Sequence, residues 1–194
     1  MTRTAHIVRN TTETAIDLRL NLDGTGTYQI DTGVGFFDHM LAHVVKHGSL
    51  DLDLKATGDL HIDEHHLVED VGICFGKALA EALGDKRGIE RFGASFVTMD
   101  EALARTVIDM SGRSYLVFHA VFSREAISGF PLEMVKEFFQ AVANEGKMNL
   151  HVALLYGSNA HHQAEGIFKS FGRALREAIR SSGGDAVPST KGSL

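Results

Sequence analysis

The chain has 194 residues, 44% of them hydrophobic and 23% charged. That is an ordinary globular balance, with enough length for one sizeable core or two small fused units. A net charge of −6 argues against a general affinity for nucleic acid or acidic membranes, while leaving room for a local basic pocket. No apolar run approaches the roughly 20 residues that span a bilayer. The start, Met1-Thr-Arg-Thr-Ala-His6, lacks the apolar stretch of a signal peptide, and a single cysteine, Cys74, excludes an internal disulfide. A cytoplasmic protein is expected.

Residues 3–10 and 13–22 alternate and read as strands. Asp23-Gly24 marks a turn, and 25–31 return as another strand. Over 35–46 the apolar residues Phe36, Met40 and Val44 recur at helical spacing. Leu50, Leu52, Leu54 and Ala56 alternate, which makes 50–56 a strand. A helix over 63–83 follows, with Asp63 as its predicted N-cap, Cys74 as a buried thiol in its apolar pattern and Gly84 as its stop. The order then repeats. Residues 91–98 and 102–109 form a predicted hairpin around Met99-Asp100-Glu101, and 114–121 make a third strand. Residues 131–144 are helical with Pro131 in the first turn, 148–155 are a strand, and 160–181 are a long helix.

Each half thus predicts a small sheet with two helices on one face, an α+β layer. The first repeat covers 1–92 and the second 93–182, followed by a Gly/Ser-containing tail over 183–194, all in one fused globular domain. The Pro188-Ser189-Thr190-Lys191 piece of that tail reads as extended. The halves either pack helix face to helix face or share one helical layer between two sheets.

Two segments repeat each other. His65-His66-Leu-Val-Glu69, continuing to Phe75-Gly76-Lys77-Ala78-Leu79, recurs 96 positions later as His161-His162-Gln-Ala-Glu165, continuing to Phe171-Gly172-Arg173-Ala174-Leu175. Imidazole and carboxylate are transition-metal ligand types. Residues four apart share a helix face, so His65 with Glu69, and His161 with Glu165, can each chelate one ion. The second histidines, His66 and His162, are turned about 100° around the axis and reach elsewhere. A doubled ligand set in a doubled fold points to two metals in related environments.

A third cluster, Asp38-His39-Met40-Leu41-Ala42-His43 with His47 beyond, sets three histidines four residues apart on one helical stripe. His39 is its functional candidate, and His43 reads as a satisfied or exposed side chain. The corresponding helix of the second half offers Glu133 and Glu137 instead. His6, His119 and His151 read as strand-surface residues. Arg91, Arg113 and Lys191 would matter if they converged on an anion, because guanidinium recognises phosphate bidentately. Ser111-Gly112-Arg113 is a tight turn suited to aiming such an arginine.

Phe37-Asp38-His39-Met40-Leu41, Asp63-Glu-His65-His66-Leu-Val-Glu69-Asp70, Arg91-Phe92-Gly93, Ser111-Gly112-Arg113, Asn159-Ala-His161-His162-Gln-Ala-Glu165 and Pro188-Ser189-Thr190-Lys191-Gly192 together resemble the imidazoleglycerol-phosphate dehydratase family. The resemblance runs from about Arg3 to Leu194. It implies two fused four-stranded α+β halves of ribosomal protein S5 domain 2-like fold. It also implies two manganese ions per active site and a 24-subunit homo-oligomer built from trimers, with active sites between subunits. One manganese would take His39, His66, His161 and Glu165. The other would take His65, Glu69, His162 and Glu137, where many relatives carry histidine at that last position. The substrate would be a small phosphate ester. Its phosphate would fall to Arg91, Arg113, Ser189, Thr190 and Lys191, with Glu13, His39 and His47 beside its reacting part and Glu13 as general base. A dinuclear phosphoester hydrolase and a non-catalytic metal store are the competing readings.

Overall fold

The computed structural model describes residues 3–192; Met1, Thr2, Ser193 and Leu194 of the predicted first repeat and tail lie outside the described residues. Strands β1 (Thr4–Asn10), β2 (Thr14–Asn21), β3 (Tyr28–Asp31) and β4 (Asp51–Gly58) form one sheet in the order β1-β2-β4-β3. Helix α1 (Gly35–Gly48) links β3 to its parallel neighbour β4, and α2 (His65–Leu83) follows β4. The second half repeats this. Strands β5 (Phe92–Met99), β6 (Ala102–Asp109) and β7 (Tyr115–His119) lead to α3 (Met134–Gly146), β10 (Asn149–Tyr156) and α4 (Ala160–Ile179), with sheet order β5-β6-β10-β7. Between β7 and α3 lies a hairpin of two-residue strands, β8 (Ala126–Ile127) and β9 (Phe130–Pro131). Pro131 therefore ends a strand, and the helix expected from 131 begins at Met134.

The alternation read from the sequence is the burial pattern. Ile16, Leu18 and Leu20 of β2 and Leu52, Leu54 and Ala56 of β4 face inward and are fully or nearly buried. The opposite faces differ between the halves. On the first sheet, charged side chains such as Arg19, Asp53 and Lys55 alternate outward beside exposed Val8 and Tyr28. On the second, Phe92, Phe96, Val107 and Tyr115 are exposed.

The halves pack helix face to helix face, with α2 on α3 and α1 on α4. An aromatic layer fills this centre. Phe138 stacks on Phe168 at 5.7 Å between ring centroids, and Phe139 meets Phe171 edge-on at 5.0 Å. Glycines set the approach of the backbones. A Cβ on Gly172 of α4 would stand 2.6 Å from the Val44 carbonyl oxygen and 3.1 Å from the Gly48 nitrogen of α1. A Cβ on Gly76 of α2 would stand 2.9 Å from the Val142 oxygen and from the Gly146 nitrogen of α3. These two contacts are one contact, repeated by the internal symmetry. Both central helix pairs are therefore held close, and each pair brings a His-x-x-x-Glu helix against the helix that carries position 39 or 137.

Candidate active site

The repeated motifs open their helices in the same way. Asn159 caps α4 by accepting from the His161 amide at 2.9 Å and the His162 amide at 3.4 Å. Asp63, at the same place in the first half, accepts from the His65 amide at 2.9 Å. The helix itself starts at His65 after Glu64, which carries no capping side-chain bond, so the expected Asp63 cap works from one residue outside. In both halves the first histidine is thereby fixed on the first turn, one turn before its glutamate.

Between α1 and α4 the side chains converge. Glu165 is buried, and its Oε1 lies 3.0 Å from His39 Nε2, 3.3 Å from His43 Nε2 and 2.9 Å from His161 Nε2. Its other oxygen accepts from Lys169 Nζ at 2.5 Å. Burial alone would raise the Glu165 pKa. The lysine and the surrounding histidines outweigh it and hold the carboxyl ionised, well below the usual carboxylate range. His43 is pushed down to about 4 by burial, against the pull of Glu165, so at neutral pH it is an uncharged imidazole. Burial and the cations Lys169 and Arg173 also lower His47. A carboxylate oxygen ringed by imidazole nitrogens is compatible with a metal ion. His39, His43 and Glu165 are the group of such side chains that the described residues bring within reach of one ion.

The second histidines do point elsewhere. His66 Nδ1 lies 3.0 Å from Asp59 Oδ2 and 3.8 Å from Glu13 Oε2. His162 Nδ1 lies 2.7 Å from Glu101 Oε2. The hydrogen bond to Asp59 raises the His66 pKa and that to Glu101 raises the His162 pKa. Glu101 itself is held at about 2 by His162 and by the Asn159 and Ser158 amides that it accepts from. Glu13 and Glu101 occupy the same place in the two halves, the last residue of the turn before β2 and before β6. Asp59 engages Nδ1 of His66 and Glu101 engages Nδ1 of His162, an arrangement that orients metal-binding imidazoles.

A family model described as imidazoleglycerol-phosphate dehydratase matches residues 32–175. Curated relatives of that name are 56% identical in Bordetella avium and 57% in Hydrogenovibrio crunogenus, each alignment covering 99% of this chain and all of the relative. The crystal structure of the Staphylococcus aureus enzyme superposes with a TM-score of 0.84 at 39% identity, over 92% of this chain and 99% of the other. That of the Pyrococcus furiosus enzyme does so with a TM-score of 0.84 at 35% identity, over 97% and 100%.

The chain belongs to the imidazoleglycerol-phosphate dehydratase family. It is accordingly a hydro-lyase of histidine biosynthesis.

Of the ligands expected from the resemblance, His39 and His161 both meet Glu165, but His66 does not and stands on α2 beside Asp59. His65, Glu69 and Glu137 share the α2–α3 pair. Glu69 is exposed, His65 and Glu137 are half-buried, and the three do not close into a group around one point. His162 lies at the opposite helix pair, on Glu101. Among the expected phosphate contacts, Arg91 meets the tail: its guanidinium is held by Asp109 at 2.7 and 3.2 Å and donates to the Pro188 carbonyl at 2.8 Å. Ser189 follows directly, its Oγ accepting from the Lys191 amide. Thr190 and Lys191 are exposed, as is Arg113. His47 lies apart from these residues, stacked at 6.0 Å on His43 and facing a basic recess with Arg173, Arg176 and Arg180.

Sequence reasoning did not single out Asp59, Glu101 or Lys169, and it assigned His43 no role. Lys169 was legible in principle, since it stands four residues after Glu165 on the same face. Asp59 and Glu101 lie in turns, and only the fold brings them to the histidines.

Proposed function

We propose that this chain converts D-erythro-imidazole glycerol phosphate to imidazole acetol phosphate at a site holding two manganese ions. The observation that carries this reading is the convergence of His39 and His161, from the two halves of the repeat, on the buried carboxylate of Glu165. Imidazole nitrogen and carboxylate oxygen suit a divalent ion of this kind. In this reading one ion belongs to His39, His66, His161 and Glu165, and the other to His65, Glu69, Glu137 and His162. Bound manganese supplies positive charge that makes an anionic imidazole ring accessible near neutral pH.

The chain's own groups do the rest. Glu13 stands 3.8 Å from His66, in an exposed turn at the edge of the site, where its carboxylate can take the side-chain proton of the substrate as general base. In this reading His47 stands beside the reacting part of the substrate. Arg91, Arg113, Ser189, Thr190 and Lys191 hold the phosphate, with Arg91 tying the tail to the second sheet through Pro188. The protein lies in the cytoplasm.

The separation of His66 and His162 from their assigned partners supports a site completed by neighbouring subunits, as in a 24-subunit homo-oligomer built from trimers. The exposed Phe92, Phe96, Val107 and Tyr115 on the second sheet favour self-association through that face. A Glu13→Gln variant tests the role of the base. It keeps its manganese content and loses turnover by a factor of about 100 or more; wild-type turnover removes Glu13 from the reaction.

A further inference from the structure

The family resemblance gives His43 no role, yet it stands inside the ring of donors around Glu165. Its side chain is 17% exposed, and its Nε2 lies 3.3 Å from Glu165 Oε1 and 3.2 Å from His39 Nε2. With His39 and Glu165 separated by 3.0 Å, the three donor atoms form a nearly equilateral triangle. Bonds of about 2.1 Å to an octahedral ion put neighbouring donors about 3.0 Å apart, so this triangle matches one face of such a coordination shell. Two histidines and one carboxylate on a single face is a recurrent metal-binding arrangement, and the other positions are left for the further ligands of the same ion.

Hydrogen bonding alone accounts poorly for the cluster. One carboxylate oxygen faces three imidazole nitrogens, those of His39, His43 and His161, more than its lone pairs accept with good geometry. Two of those nitrogens also face each other. Lone pairs aimed at one point are stabilised by a cation between them. Lys169 fixes the opposite oxygen and so keeps Oε1 turned toward the histidines.

We propose that His43 is a ligand of the metal ion bound by His39, His161 and Glu165. The inference rests on the metal reading given above and adds to it. The other half has no counterpart. Position 137 matches position 39, and one turn on, where His43 stands in α1, α3 carries Ala141, buried against Gly72 of α2. The two centres are therefore unequal, and the one between α1 and α4 is the richer in nitrogen and the tighter.

The test is manganese titration of the purified, assembled protein with pulsed-EPR counting of coordinated imidazole nitrogens, for the wild type, His43→Gln and His161→Gln. The wild type is expected to bind two ions with unequal affinity and to show four imidazole nitrogens at the tighter one. His43→Gln weakens that ion about tenfold or more, removes one nitrogen coupling and leaves the other ion unchanged. Three nitrogens at the tight site of the wild type overturn the proposal without any variant. So does a His43→Gln protein that binds manganese as the wild type does while His161→Gln loses an ion, and in that case the metal reading stands. Reduced turnover of His43→Gln with unchanged manganese binding also overturns it, by placing His43 on the substrate. A wild type that binds no manganese removes both.

Discussion

Replacing Gly172 by alanine tests whether the α1–α4 contact builds the site. The new Cβ would lie 2.6 Å from the Val44 carbonyl oxygen and 3.1 Å from the Gly48 nitrogen, both backbone atoms of a buried helix that cannot turn aside. Ordinary carbon contacts begin near 3.5 Å, so α1 must retreat by about 0.5–1 Å. Overpacking of this kind costs about 1–3 kcal/mol, and alanine returns about 1 kcal/mol through helix propensity. A net loss of up to about 2 kcal/mol is expected, which lowers Tm by up to about 8 °C in a chain of this size. Because α1 carries His39 and His43 while α4 carries His161 and Glu165, the retreat also opens the donor cluster and weakens manganese at that centre. Gly76→Ala is the matched control. It strains the α2–α3 pair against Val142 and Gly146, with a similar loss of Tm and an unaltered His39–Glu165 cluster. Differential scanning fluorimetry of metal-free protein and manganese titration read both effects. A Gly172→Ala protein with wild-type Tm and wild-type manganese affinity would refute the packing described here.

Further predictions concern residues around the site and the fold that carries it. Glu101→Gln removes the charge that orients His162, so manganese affinity at the ion bound by His162 falls about 10–100-fold while turnover at saturating metal recovers; equilibrium dialysis measures the first and a metal-rescue assay the second. Arg91→Lys cannot span Asp109 and the Pro188 carbonyl together, so the tail is cut faster in limited proteolysis and KM rises more than kcat falls. Asp51 clasps the loop between β2 and β3, accepting from the Thr25 amide at 2.8 Å and the Thr27 amide at 3.0 Å, and these bonds lower its pKa. Its contribution is therefore present above the unfolded carboxyl pKa of about 3.9 and disappears as pH falls through the lower folded value. Asp51→Asn should cost about 1 kcal/mol at pH 7 and progressively less in acid, as urea unfolding at both pH values would show.

The repeat was visible in the sequence because both halves obey the same rules. Alternating leucines made β4, and His-His-x-x-Glu stood at the start of each final helix. The face-to-face packing was one of two options there. It is decided by Gly76 and Gly172, whose importance lies in what approaches them from the other half. The β8–β9 hairpin escaped because two-residue strands carry no periodicity, and Pro131, a good first-turn helix residue, also fits a strand end. In the site, the pairing of His161 with Glu165 followed from helical spacing, and the outward turn of His66 and His162 from the angle between successive residues. Their carboxylate partners did not, because Asp59 and Glu101 belong to turns seven and 61 residues away. His43 was in view as part of a stripe. Its meaning came from Glu165, which only the α1–α4 packing sets beside it.

The central claim, manganese-dependent dehydration, is tested most directly by incubating the metal-depleted and manganese-reconstituted protein with D-erythro-imidazole glycerol phosphate and following both the ketone product and free phosphate. The account predicts imidazole acetol phosphate from the reconstituted protein only, with the phosphate ester intact. Release of inorganic phosphate, or no ketone with manganese bound, would contradict it.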